Sequence, residues 1–173
     1  MKHQSAHRSG TRGLAAGFTL IEVLVALIVL SIGLLGIGKL MLFTSHANDS
    51  AYLRGQATEM AYAILDNMRA NRTNAVAQGY VTAINAVPAN PGSCVTAVCT
   101  PPQLALYDVY QWKTRLAAAL PSGQGSVQVS AAAPTTATIV VQWDDTQGQT
   151  TFANVLVPAG TAAPMTITLE TIL

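Results

Sequence analysis

Glu22 is the only charged side chain between Phe18 and Gly38, in an apolar run that opens as "GFTLIEVLVALIVL" at Gly17 and continues to Phe43 with only Lys39 interrupting. A stretch of that length crosses a bilayer as a helix of about 20 residues. A carboxylate inside such a helix costs on the order of 3 kcal/mol near the bilayer centre and less near an interface, so by default it serves a function and awaits a partner. The chemistry it offers is electrostatic, one negative charge fixed at a set position along a membrane helix.

The other reactive side chains are few. Cys94 and Cys99 form the pair "CVTAVC"; in an oxidising compartment such a pair closes a small loop as a disulfide, stabilising by about 2 kcal/mol in the chain-entropy model. Zinc would need four ligands, of which only His46 could join the pair, and a redox centre more often has C-x-x-C spacing. Beyond residue 17 His46 is the only histidine, which removes a Ser-His-Asp or Cys-His arrangement from the rest of the chain. Neither a glycine-rich phosphate loop nor HExxH spacing occurs. Asp144 and Asp145 read as turn residues, since two adjacent carboxylates fall short of the six to eight oxygens calcium takes. Trp112 reads as a core anchor more readily than as a ligand platform. No catalytic residue, metal or cofactor is therefore expected.

The elements that position these residues are set by charge and periodicity. The chain has 173 residues, half of them apolar and a tenth charged, with a net charge of +1; no basic surplus points to direct nucleic-acid contact and no acidic surplus to disorder. Lys2, Arg8 and Arg12 precede the apolar run, so the positive-inside rule keeps that end in the cytoplasm and exports the chain beyond Phe43. Ala57, Met60, Ala61, Ile64, Leu65 and Met68 continue at helical spacing, predicting one helix from Phe18 to near Ala70, about 80 Å long. Asp66 and Arg69 can pair across one turn. Gly33, Gly36 and Gly38 are either a weak point of that helix or a place for close helix packing.

Residues 71–102 are rich in breakers and read as a surface loop carrying the cysteines. Pro101 and Pro102 then start a helix that Pro121 stops, with Leu104, Trp112, Leu116 and Leu120 expected in the core. The last third predicts four strands, 126–130, 136–143, 150–157 and 165–173, the first alternating cleanly and "DDTQGQ" turning a hairpin between the second and third. The fold class is α+β: a long N-terminal helix, membrane-spanning in its first half, packed against an antiparallel sheet.

An ordinary secretory signal has a shorter apolar core followed by a small-x-small site, which "SHA" at 45–47 mimics. The abrupt switch at Gly17 offers a second cutting point, on the other side of the helix. Here "GFTLIEVLVALIVLSIG" resembles the class III leader and N-terminal helix of type IV pilins and type II secretion pseudopilins, whose prepilin peptidase cuts after the glycine and methylates the new N-terminus. The resemblance implies a leader at 1–17, cleavage between Gly17 and Phe18, N-methylation of Phe18 and an assembly role for Glu22. It also implies a membrane half at 18–43, a periplasmic half of the helix at 44–70 and a pilin head at 71–173. Cleavage would leave an ammonium at Phe18, one turn from Glu22. In a fibre of packed helices the carboxylate of one subunit can meet the ammonium of its neighbour, and two groups costly in lipid neutralise each other.

The cysteine pair, Asp108 four residues before Trp112 and Lys113, then "LP" and a glycine-rich turn, look like type IV pilus modification minor pilins of the PilV type. That resemblance implies a non-enzymatic minor pilin, held in the inner membrane with a periplasmic head and built into or at the tip of a pilus. Its implied partners are the prepilin peptidase, the major and other minor pilins, and inner-membrane lipid. A minor pseudopilin of a type II secretion system is the alternative, and an adhesin or DNA receptor a third class.

Overall fold

The computed structural model describes residues 17–92, 94–145 and 163–173. Helix α1 runs from Leu20 to Ala70, two residues later than expected at its start because Thr19 caps it. The Thr19 carbonyl accepts the Glu22 and Val23 amides at 3.1 and 3.3 Å, and its Oγ1 also accepts the Glu22 amide at 3.3 Å. A hydroxyl at that position satisfies an amide left over at the helix start. Contacts divide the chain into two compact units, residues 1–41 and 42–173.

In the first unit α1 is apolar on every side, and none of its described side chains is buried. A helix of this kind is long and apolar enough to cross a membrane. It passes through Gly33, Gly36 and Gly38 without a break, and the space where each would carry a Cβ is open.

In the second unit the same helix becomes one-sided. Ala57, Ala61, Ile64, Leu65 and Met68 are buried, with Met60 partly so. Asp66 and Arg69 pair at 3.5 Å on the exposed face. After a five-residue helix α2 (Arg72–Val76), the chain reaches α3 (Pro101–Ala119), which begins with Thr100 and Gln103 as a capping box followed by two prolines. Three strands complete the unit: β1 (Gln124–Val129), β2 (Thr136–Trp143) and β3 (Met165–Ile172), antiparallel in the order β1-β2-β3. Ala137, Ile139, Val141 and Trp143 of β2 are buried in strict alternation and share one core with α1 and α3. The architecture is α+β and pilin-like, as the sequence pattern implies.

Three expectations need correction. Leu104 is exposed, and the buried positions of α3 are Ala105, Val109, Trp112, Lys113 and Leu116, with Leu120 just beyond its end. The helix is phased so that a small Ala105, fully buried, meets the core where a leucine was expected. β1 covers 124–129 and does not alternate cleanly, since Gly125, Ser126 and Val127 are buried in succession. Gly125 is needed there: a Cβ would lie 2.5 Å from the Trp112 ring and 2.7 Å from Leu116 Cδ1, so its absence lets α3 lie against β1. β2 pairs with β1 over 137–142 and with β3 along its whole length, 136–143. The expected strand at 150–157, and the hairpin that "DDTQGQ" would turn toward it, lie outside the described residues. Finally, Asp145 is more than a turn residue: it is buried, and its Oδ2 accepts the Ser50 hydroxyl at 2.5 Å.

Candidate functional site

The residues singled out from sequence fall into two places. Gly17 and Phe18 precede α1, and Glu22 lies in its first turn. Phe18 and Glu22 are both exposed. A carboxylate in a first turn faces the positive end of the helix dipole. Among the described residues no cation lies within 4.0 Å of Glu22. Among the described residues its charge is thus met only by the helix end.

Cys94 and Cys99 are joined as a disulfide. The bond closes a ring whose outer valines, Val95 and Val98, are 81% and 102% exposed. The ring ends at the residue before Thr100, the N-cap of α3.

A second constellation sits on α3, where Asp108, Trp112 and Lys113 each reach a different part of the unit. The Tyr80 hydroxyl donates to Asp108 Oδ2 at 2.7 Å, with the Asn67 carbonyl 3.2 Å away. A phenol has one proton to give, and the shorter, charged acceptor takes most of it. Tyr80 is fully buried. Burial, and then the Asp108 bond, push its hydroxyl well above the ordinary phenol range. Burial likewise raises the Asp108 carboxyl, and the Tyr80 bond opposes that rise. Trp112 is a core residue, and its Nε1 donates to the Met60 carbonyl of α1 at 3.0 Å.

Lys113 is 8% exposed. Its ammonium donates to the carbonyls of Ala83 (2.6 Å), Ile84 (3.0 Å) and Gly125. Three donors meet three acceptors, so the cation is fully used without a carboxylate. Burial lowers its pKa to about 8. A cavity of about 560 Å³ lies beside it, between residues 84–87, α3 and residues 122–124. With its three N–H groups committed to main chain, Lys113 brings the segment after Tyr80 onto α3 and β1. Thr82 and Val127 complete that junction by exchanging two backbone hydrogen bonds of 3.0 Å.

Sequence reading placed Trp112 in the core, noticed Asp108 and Lys113 only as a spacing, and missed Tyr80, Ser50 and the depth of Lys113. The available signal was three hydrogen-bonding side chains at i, i+4 and i+5, on a helix whose neighbouring turns are apolar. The arrangement ties segments together. It does not align a nucleophile with a base, and among the described residues no group of three or more His, Cys, Asp or Glu could hold a metal ion.

Among known families, the model of the prokaryotic N-terminal methylation motif matches residues 12–38, which include Gly17, Phe18 and Glu22. No curated protein and no solved structure matches the chain. The motif, followed by a long apolar helix and an α+β unit, supports a type IV pilin-like protein anchored in a membrane through that helix.

Proposed function

We propose that the chain is a minor pilin, a structural subunit that primes or supports assembly of a type IV pilus after prepilin peptidase acts on it. The observation that carries this reading is the methylation motif over residues 12–38, with Glu22 set in an otherwise uncharged helix. In this reading residues 1–17 are the leader, cut between Gly17 and Phe18, and Phe18 becomes N-methylated. Residues 18–43 span the inner membrane, 44–70 carry the helix into the periplasm, and 71–173 form the head. Glu22 stays in lipid until the Phe18 ammonium of a neighbouring subunit meets it, and that pair sets the register of assembly. The other partners are the major pilin and further minor pilins, and no catalytic step is assigned to the chain.

The test is the amount of major pilin in sheared surface fibres, compared between a strain lacking this chain and the same strain with it restored. Fibres collapse without it and return with it under the priming role. Unchanged fibres end that role. A loss of exoprotein secretion would then identify a minor pseudopilin instead.

A further inference from the structure

A groove of about 410 Å³ runs between α1 and α3, lined by Glu59 and Asn67 on one side and Asp108, Gln111 and Arg115 on the other, with Val95 of the disulfide ring at its edge. The two helices run in opposite directions along it. Asp108 is level with Asn67 through the Tyr80 hydroxyl, and Trp112 is level with Met60. Arg115, about 10 Å along the axis from Asp108, therefore lies toward the Glu59 end of the groove and away from Asp108. Asp108 is left at the other end. Among the described residues its Oδ1 accepts no hydrogen bond, and no ammonium or guanidinium lies within 4.0 Å. A carboxylate half removed from water, with spare acceptor capacity and no counter-charge, is a costly group for a fold to retain without a partner.

We propose that this groove receives a lysine or arginine side chain of a neighbouring pilin-like subunit, its cation meeting Asp108 between α1 and α3. The proposal rests on the pilin reading above. Charge complementarity selects a cation. The exposed Val95 at the groove's edge, with Val98 on the same ring, adds an apolar shoulder to the polar slot, a combination that suits a protein surface better than a small free cation. The ring also lies in a stretch, residues 73–107, without a single charged side chain, so nothing there repels an approaching basic residue.

The test places a photoreactive benzoylphenylalanine at Gln111 in the full chain, irradiates cells that make fibres, and maps adducts in sheared fibres and in membranes. The expected adduct joins this chain to another chain bearing the methylation motif, at a segment within a few residues of a lysine or arginine. Asp108→Asn keeps an oxygen for the Tyr80 hydroxyl and removes the charge; it lowers adduct yield by roughly tenfold, the effect of losing one charge-assisted contact. Replacing the partner's basic residue by glutamine does the same without touching this chain, and decides the matter should Asp108→Asn unfold the head. No adduct, an adduct indifferent to both substitutions, or one formed only with a protein lacking the motif overturns the proposal. If the chain is absent from fibres and from membrane complexes with other motif-bearing chains, the pilin reading fails and the groove assignment with it. Presence there without an adduct removes the groove assignment alone.

Discussion

From Leu20 to Met41 no side chain of α1 is buried, whereas between Ala57 and Met68 the same helix buries five on one face. The local conformation is the same in both stretches, and the difference lies in how the side chains are satisfied. In the second stretch apolar residues recur at three- and four-residue steps and are consumed by the core. In the first they occur on all sides, and among the described residues none of them is buried. Their hydrophobic stabilisation is left for lipid or for other chains to provide. A single carboxylate has opposite meanings in the two settings. Asp66 on the exposed face is one half of a surface pair worth less than about 1 kcal/mol, while Glu22 is the one acidic group in the apolar stretch and gives it a position.

The contrast can be broken at several points. The largest effect is expected from Glu22→Val, which leaves membrane insertion intact but lowers incorporation into sheared fibres by roughly tenfold or more, as loss of an ion pair in lipid implies. Normal incorporation of that variant would remove the ion-pair account. In the head, Leu116→Ala empties a fully buried site and should cost about 3 kcal/mol, read as a lower melting temperature of the detergent-solubilised chain. Leu27→Ala is the matched control. It is 60% exposed and should change head melting by less than about 0.5 kcal/mol; a drop as large as that of Leu116→Ala would refute the division of the helix.

Opening the ring with Cys94→Ser and Cys99→Ser should cost about 2 kcal/mol, with α1 helicity unchanged by circular dichroism. The subtlest test concerns Lys113. Its folded pKa, about 8, lies below its ordinary 10.5, so between those values the unfolded chain binds more protons than the folded one. Stability contributed through this group therefore rises with pH in that window, by at most about 1.4 kcal/mol per pH unit. Lys113→Met should abolish that slope. A wild-type head whose stability falls from pH 8 to 10, with the variant unchanged in slope, would contradict the buried, charged Lys113.

What the sequence made legible depended on distance along the chain. The extent of α1, the bounds of α3 and the face through Ala61, Ile64 and Leu65 rest on local rules, namely caps, prolines and helical spacing, and could be read directly. Leu104 misleads because side-chain size is a poor guide to burial at that turn. At that turn Ala105 is the buried residue and Leu104 the exposed one, an outcome of helix phase and not of hydrophobicity. The burial of Lys113 depends on carbonyls at 83, 84 and 125, and that of Asp145 on a hydroxyl 95 residues away; no local pattern announces either. Of the candidate site, the motif around Gly17, Phe18 and Glu22 was legible because its chemistry lies within one turn. Asp108 was visible only as a spacing, since its meaning comes from Tyr80 and from a groove wall on another helix.

The position of β3 has a consequence for how the molecule is made. β2 has its second neighbour only once residues 165–172 are present, yet the apolar face at 57–68 that shares its core is synthesised about a hundred residues earlier. A chain that emerges amino end first thus carries an unshielded apolar face while most of its length is still being made, because long-range strand pairing must wait for distant segments. The order of synthesis runs against the order of closure, and whatever receives the nascent helix must keep that face from aggregating until α3 and the sheet arrive.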